Sequence, residues 1–204
     1  RGMAGLQAAV MSGAGHLLNF VGTDSVPAID FLEDYYGANA EKELIGCSVP
    51  ATEHSVMCMG SKGGELETFR RLLTEVYPAG IVSVVSDTWD FWQVVTRHVE
   101  TLKPEIMARD GKLVIRPDSG DPVKIICGDD EAEPGSSAYK GAVECLWGVF
   151  GGTATETGHR VLDSHIGLIY GDSITLERAQ QILDRLAAKG VASSNVVFGV
   201  GSFT

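Results

Sequence analysis

The chain is short of basic residues. Only 16 Lys and Arg stand against 27 Asp and Glu among 204 residues, which gives a formal net charge of −11. A surface that binds nucleic acid is expected to be basic, so this composition argues against nucleic acid as a partner. The net charge also offers no general attraction for a phosphorylated ligand, so any anion site has to be built from local groups.

The sequence also lacks long apolar runs, a secretory signal pattern and paired cysteine motifs. No apolar stretch reaches the roughly 18 residues that a membrane-spanning helix requires, and no segment has the three-part pattern of a signal peptide. The four cysteines have neither CxxC pairing nor zinc-ligand spacing. We therefore expect a cytoplasmic protein with reduced thiols and no membrane partner.

What the sequence does contain is a series of strand-like apolar runs that alternate with helix-like segments. Six runs have this character: 16–24, 45–50, 81–87, 113–118, 166–172 and 196–201. Apolar residues at helical spacing lie between them, at 26–36, 65–77, 90–102, 138–150 and 175–189. Continuous β-branched runs are typical of parallel strands covered by helices on both faces. The order predicts an α/β fold with parallel strands alternating with helices.

Polar residues at the ends of these runs indicate one functional site. In parallel sheets and barrels, ligands bind beyond the carboxyl ends of the strands. The groups at these ends are mostly carboxylates, with one Arg, one His and glycine amides: Asp24, His54, Asp87, Arg116, Asp118, Asp172 and Gly201. This mixture suits a ligand with a phosphate, a ribose and a small polar base, so an enzyme is the leading hypothesis.

The sharpest short motif runs from Arg116 to Pro122. Arg116 is a planar donor suited to phosphate, and Asp118 is placed to accept from a sugar diol. Asp121 would cap the next helix. The structural alternative is that Arg116 and Asp118 pair only with each other in a turn. Among the five histidines, His54 is the best candidate for a base or a phosphate contact, because it alone follows a strand end between polar neighbours.

Six motifs, in order, resemble the nicotinamide phosphoribosyltransferase family, in its bacterial and phage branch. The resemblance covers essentially the whole chain. The motifs are Gly22–Ser25, Ser48–Ser55, Ser83–Asp87, Ile115–Gly120, Tyr170–Asp172 and Phe198–Ser202.

The resemblance implies a fold and a reaction. The fold is the irregular α/β barrel of the type II phosphoribosyltransferases. It would be incomplete here, as a single catalytic domain spanning 1–204 and truncated at both ends. The reaction joins nicotinamide to phosphoribosyl pyrophosphate, giving nicotinamide mononucleotide and pyrophosphate in NAD salvage. Mg²⁺ would accompany the pyrophosphate groups, ATP would be a coupled co-substrate, and the enzyme would be a homodimer.

The resemblance also assigns residues. His54 would be the histidine that ATP phosphorylates, and Asp87 would orient His54 or the ribose. Asp24 would bind the nicotinamide amide. Substrate contacts are implied at ten positions in all: Arg1, Asp24, Ser48, Ser83, Arg116, Asp118, Gly171, Asp172, Gly201 and Ser202. Among these, the two arginines would contact the base or phosphates and Asp118 the ribose. The Gly171–Asp172 pair would line the nucleotide, and the amides of 201 and 202 would take the 5′-phosphate. No protein ligand to a metal is implied.

Other functions stay open at this point. A nicotinate phosphoribosyltransferase, or a quinolinate one, would share most of the pattern, although Asp24 would repel a carboxylate on the base and so favours nicotinamide. A non-catalytic nucleotide-binding module is the alternative of a different class. The family's base-stacking aromatic would precede Arg1 and its basic phosphate-holding residues would follow Thr204, so we expect residues 1–204 alone to show little or no turnover.

Overall fold

The computed structural model describes residues 5–200, which fall into two compact units, 5–49 and 50–200. The predicted mixed α/β class is confirmed. A four-stranded parallel sheet alternates with helices, and no closed barrel is found among residues 5–200. The assignment of 1–204 to one catalytic domain stays a prediction.

The first unit is built on two helices, α1 (Leu6–Leu17) and α2 (Val26–Tyr36). The prediction of a strand over 16–24 is wrong. α1 continues to Leu17, and Leu18 and Phe20 beyond it are exposed. A short apolar run does not by itself distinguish a strand from a buried helix. Strand-like pairing within residues 5–49 is limited to one parallel bridge, from Gly22 to Cys47.

The second unit contains the four-stranded parallel sheet. Its strands, in their order across the sheet, are β1 (Ala79–Val85), β2 (Asp110–Arg116), β5 (Ile166–Tyr170) and β6 (Val196–Phe198). All three neighbouring pairs are parallel. Four predicted runs are therefore confirmed as strands, and their carboxyl ends lie at one edge of the sheet. A short antiparallel hairpin of β3 (Gly152–Ala154) and β4 (Arg160–Leu162) was not predicted.

Helices connect these strands. In chain order they are α3 (His54–Met59), α4 (Glu65–Arg71), α5 (Phe91–Gln93), α6 (Val99–Thr101), α7 (Lys103–Ala108), α8 (Pro122–Cys127), α9 (Ser137–Lys140), α10 (Ala142–Phe150) and α11 (Leu176–Ala188). π-Helical turns follow α4 at Leu72–Val76 and α5 at Val94–His98. None of the described helices is both long and apolar enough to cross a membrane.

Side-chain caps set the starts of four of these helices, including α9, where Ser136 Oγ accepts from the backbone N–H of Tyr139 at 3.2 Å. The carboxylates of Asp90 and Asp121 accept hydrogen bonds from backbone N–H groups three and two residues further on, at 3.1 and 2.9 Å. Thr175 does the same for α11 at 3.2 Å. The helix after β5 therefore begins at Leu176 and is capped by Thr175, so Asp172 is free of a capping role.

The predicted helix over 138–150 is divided at Gly141. This glycine has a φ of 89°, and a Cβ placed there would collide with the backbone at Gly128. The break is therefore required by a close approach between two backbone segments, which the apolar spacing of the sequence does not reveal.

A buried arginine joins the end of the π turn after α4 to the start of β1. Arg109 is 7% exposed, and its guanidinium donates to the carbonyl oxygens of Leu73, Tyr77 and Gly80 at 3.3, 2.5 and 3.2 Å. A cation at the carboxyl end of a helical segment is favourable because unpaired carbonyl dipoles collect there. Arg109 is thus a structural group at the edge of the sheet opposite the carboxyl ends.

Glu65, the first residue of α4, is a buried acid. The residue is 2% exposed, its Oε2 lies 3.4 Å from Nε2 of His98, and its Oε1 has no hydrogen-bond partner among the described residues. Burial and the nearby charge of Asp90, opposed by Lys62, raise the pKa of Glu65 from 4.5 to about 7. Burial also lowers the pKa of His98, so the pair favours its uncharged forms.

We expect Glu65→Gln to stabilise the protein above neutral pH. Because the folded-state pKa is raised, the native carboxyl keeps its proton up to about pH 7, whereas the unfolded one loses it near 4.5. Stability is therefore lost as the pH rises from 4.5 through 7. Thermal unfolding should give the variant a melting temperature several degrees above wild type at pH 8 and a similar one at pH 5. Glu67→Gln, on the exposed face of α4, is the control. An equal effect of both variants would contradict a burial penalty.

Candidate active site at the carboxyl edge of the sheet

The parallel register brings segments from distant parts of the sequence together at the carboxyl edge of the second unit. Val85 at the end of β1 lies beside Arg116 at the end of β2, and Tyr170 at the end of β5 lies beside Phe198. A further segment lies along the outer side of β1, where Ala51 forms a parallel bridge with Ser83. The ends of these five segments and the loops that follow them carry the candidate side chains.

Asp87, two residues beyond β1, is the centre of this edge. Its side chain is 5% exposed, and Oδ1 lies 3.1 Å from Nε2 of His54. Its Oδ2 accepts from the backbone N–H of Asp118 at 2.8 Å and from the hydroxyl of Ser119 at 2.5 Å. Burial opposes ionisation of this carboxyl. The hydrogen bonds from Ser119 and Asp118 and the charge of His54 outweigh burial and hold the pKa of Asp87 below its ordinary value.

His54 is the first residue of α3 and presents its ring to solvent, with the side chain 47% exposed. An ionised Asp87 can only accept hydrogen bonds, so the ring must donate from Nε2. In the neutral ring, the lone pair then lies on Nδ1. The contact with Asp87 thus selects one tautomer and leaves a nucleophilic nitrogen on the side of the ring that does not face Asp87.

Arg116 lies between two carboxylates. Its Nε and Nη2 donate to Oδ2 of Asp118 at 3.2 and 3.1 Å, and Nη2 also contacts Oε2 of Glu53 at 3.4 Å. Burial by itself would lower the pKa of Arg116, but the Asp118 and Glu53 carboxylates more than offset it and raise that pKa. The Arg116–Asp118 pair considered from the sequence as a structural turn is therefore present. Because Asp87 also holds the loop that carries Asp118, the Arg116–Asp118 pair has a fixed position at the carboxyl edge.

Gly171 is required by the position of Asp118. A Cβ on Gly171 would collide with Oδ1 of Asp118, and a Cβ on Gly199 would come within 2.9 Å of the Gly171 Cα. Both glycines follow strand ends, so the backbone here packs directly against the functional carboxylate. Asp172, the next residue, is exposed and accepts a hydrogen bond from Ser173 Oγ at 2.6 Å.

Tyr170 is a positioning residue that the sequence reasoning missed. It is fully buried at the end of β5, and its hydroxyl donates to the carbonyl oxygens of Ser119 and Gly120 at 2.7 and 3.1 Å. Burial raises the pKa of this phenol, and the nearby carboxylates raise it further. Asp87 and Tyr170 thus hold the 118–120 loop from two sides. The place of Tyr170 at the end of an apolar run, within the Tyr170–Asp172 motif, does not by itself indicate a contact with the 118–120 loop.

Other predicted site residues occupy different positions. In the second unit, Ser83 is buried in β1, and its Oγ has no hydrogen-bond partner among the described residues. In the first unit, the Ser48 hydroxyl donates to Oδ1 of Asp24 at 2.6 Å. Arg1, Gly201 and Ser202 lie outside the described residues. The roles assigned to all of these residues stay predictions.

The described residues contain no group of three or more His, Cys, Asp or Glu side chains arranged to hold a metal ion. The carboxylates of Asp87 and Asp118 at the carboxyl edge already have partners, since Asp87 accepts three hydrogen bonds and Asp118 pairs with Arg116. Mg²⁺ commonly binds through substrate phosphates and water with few protein ligands. The donor set therefore fits an Mg²⁺ ion carried by a phosphorylated substrate rather than one held by a protein cage.

The carboxyl edge of the parallel sheet thus brings together one guanidinium, one imidazole and three carboxylates from separate segments of the chain. The family model of the nicotinate phosphoribosyltransferase (NAPRTase) family matches residues 1–204, and the chain belongs to this family.

Individual relatives support the same grouping. The chain is 60% identical to a nicotinamide phosphoribosyltransferase from Acinetobacter baylyi, in a match that covers all of this chain and 41% of that protein. Proteins of the same name from Mycoplasma pneumoniae and Xanthomonas campestris pv. campestris are 39% and 36% identical, over 100% and 98% of this chain and 42% and 40% of their own lengths. The chain thus spans about two fifths of the length of these relatives.

We expect Gly171→Ala to impair the site without unfolding the sheet. The added methyl group would displace the Asp118 carboxylate and loosen its pair with Arg116. Binding of a ribose phosphate should weaken about tenfold or more, which corresponds to the loss of one charge-assisted hydrogen bond. Calorimetric titration of the full-length protein with ribose 5-phosphate measures this loss.

The control for this variant is Gly148→Ala. Gly148 is exposed on α10 and has open space around its Cα, so alanine there should leave binding unchanged and stabilise the helix slightly. Unaltered binding by Gly171→Ala would show that the contact between Gly171 and Asp118 has no functional role.

Proposed function

We propose that the protein to which this chain belongs transfers the phosphoribosyl group of phosphoribosyl pyrophosphate to nicotinamide. The products are nicotinamide mononucleotide and pyrophosphate. The observation that carries this proposal is the Asp87-centred edge, where one loop bears both an arginine for a phosphate and a carboxylate for a ribose. Family membership and the names of the relatives support it. A homodimer and a cytoplasmic location belong to the same proposal.

The charges at this edge match the charges that develop in the reaction. As the bond from C1 of ribose to pyrophosphate breaks, positive charge grows on the sugar and negative charge grows on the leaving group. Asp118 would hold the ribose hydroxyls, and its negative charge would favour the cationic sugar. Arg116 would neutralise the leaving pyrophosphate. An Mg²⁺ ion bound to the phosphates would add Lewis-acid stabilisation of the same leaving group.

The His54–Asp87 pair supports coupling to ATP. Oδ1 of Asp87 accepts a hydrogen bond from Nε2–H of His54, so Nδ1 is the nitrogen available to attack a γ-phosphoryl group. In that step the N–P bond forms, the P–O bond to ADP breaks, and the leaving oxygen departs as part of ADP. Asp87 would stabilise the positive charge that the ring gains. The exposure of the His54 ring leaves it accessible to a nucleotide.

The pair formed by Asp24 and Ser48 supports nicotinamide as the base. The Ser48 hydroxyl occupies Oδ1 of Asp24, which leaves Oδ2 to accept a hydrogen bond from an amide N–H. The family description names nicotinate, so a nicotinate-specific enzyme is the second candidate. A carboxylate on the base would be repelled by Asp24 and has no proton to donate to it.

We expect the full-length wild-type protein to form mononucleotide from nicotinamide in preference to nicotinate. Asp24→Ser should lower kcat/KM for nicotinamide about 10- to 100-fold, because a charged hydrogen-bond acceptor is lost, and should narrow the preference between the two bases. Chromatographic assay of both products measures this. Asp34→Ser, an exposed acid on α2 of the same unit, is the control and should behave as wild type.

Two outcomes of that assay would redirect the assignment. A wild-type preference for nicotinate would move the protein to the second candidate. Absence of transfer to either base would favour a non-catalytic nucleotide-binding module.

We expect His54→Gln to abolish ATP stimulation while retaining slow, ATP-independent transfer. The glutamine keeps a polar side chain but has no nucleophilic nitrogen, so no phosphoryl group can be carried. Product formation with and without ATP, together with incorporation of radiolabelled phosphate from ATP, measures both effects. His159→Gln, in the turn between β3 and β4, is the control. Phosphate incorporation by the His54 variant equal to wild type would rule out His54 as the acceptor.

A further inference from the structure

Glu53 is an acid at the candidate site that lies within the Ser48–Ser55 motif, but neither the resemblance nor the proposed mechanism assigns it a role. It precedes α3 as the N-terminal flanking residue, but its side chain makes no capping hydrogen bond. Among the described residues, the polar partner of this side chain is Arg116, at 3.4 Å from Oε2 to Nη2. The Glu53 side chain is 69% exposed, so it approaches the guanidinium from solvent.

The two carboxylates on Arg116 differ in how firmly they are held. Asp118 contacts both Nε and Nη2, its side chain is 20% exposed, and its backbone is fixed by Asp87. Glu53 makes one longer contact from an exposed side chain. Exposed single ion pairs contribute little to stability and exchange readily. Glu53 is therefore the partner that can leave when another anion approaches.

We infer that Glu53 sets the affinity of Arg116 for the phosphate groups of the substrate and product by competing with them for the solvent-facing side of the guanidinium. This inference rests on the proposed function. A diphosphate that reaches Arg116 must displace Glu53 or bind beside it. In both cases the Glu53 charge opposes binding, because like charges at this separation repel. When diphosphate dissociates, Glu53 returns to Nη2 and restores the pair.

The consequence is that the site binds diphosphate less tightly than it would without the charge of Glu53. Two carboxylates and one guanidinium leave a net negative charge around Arg116 before any ligand binds. In the proposed function Asp118 binds the ribose hydroxyls. Glu53 has no role in binding the ribose and affects only the binding of phosphate groups to Arg116. Removing its charge should tighten diphosphate binding and slow diphosphate release, while binding of the uncharged base should not change.

The test is calorimetric titration of the full-length protein with inorganic diphosphate and with nicotinamide. Diphosphate is titrated once with Mg²⁺ and once with a chelator. Glu53→Gln should bind diphosphate about two- to tenfold more tightly than wild type, the range set by one exposed charge pair. Its affinity for nicotinamide should equal that of wild type.

Glu131→Gln is the matched control. Glu131 is also exposed and also paired with a cation, with 2.7 Å between its Oε2 and Nζ of Lys124. It therefore changes the net charge by the same amount away from Arg116, and its diphosphate affinity should equal that of wild type.

The outcomes separate this inference from the proposed function. Diphosphate binding by Glu53→Gln that equals or falls below wild type overturns the inference alone. A loss seen only with Mg²⁺ does so as well, because it would make Glu53 a contributor to ion binding rather than a competitor. Equal tightening by Glu131→Gln overturns it in favour of a general charge effect. Failure of wild type and both variants to bind diphosphate overturns the proposed function and this inference with it.

Discussion

The buried carboxylate of Asp87 joins three segments that are far apart in the sequence. Its Oδ1 accepts a hydrogen bond from the ring of His54, and its Oδ2 accepts hydrogen bonds from the backbone N–H of Asp118 and the hydroxyl of Ser119. A buried charge is costly unless its lone pairs are occupied, and here three donors occupy them. The same contacts that stabilise Asp87 therefore fix the tautomer of His54 and the place of the 118–120 loop.

The rest of the edge follows from that loop. With Asp118 held, Arg116 is oriented through its double contact with the Asp118 carboxylate. Gly171 must be glycine because this carboxylate packs against its Cα. Tyr170 holds the loop through hydrogen bonds from its hydroxyl to the backbone carbonyls of Ser119 and Gly120. The exposed carboxylate of Glu53 is the second negative group beside Arg116. A site of this kind is sensitive to small displacements, because each contact depends on the one before it.

Much of the second unit could be predicted from the sequence. The runs at 81–87, 113–118, 166–172 and 196–201 contain strands because they are continuous, apolar and β-branched, as strands covered on both faces are. The run at 16–24 failed because its apolar residues begin inside a helix, where the same composition fits either structure. The break in the helix at Gly141 could not be predicted, because it is caused by a backbone contact with Gly128 and not by a local sequence pattern.

The sequence by itself determined the fold class, the four strands of the parallel sheet, and which residue types follow the ends of those strands, because local periodicity and short motifs carry this information. The tertiary structure alone decided which of those residues meet. It brought Glu53 to Arg116, the Tyr170 hydroxyl to the 118–120 loop, and Glu65 into a buried site that raises its pKa. Contacts of this kind join residues tens of positions apart. Their existence depends on strand register and helix packing, about which local spacing carries no information.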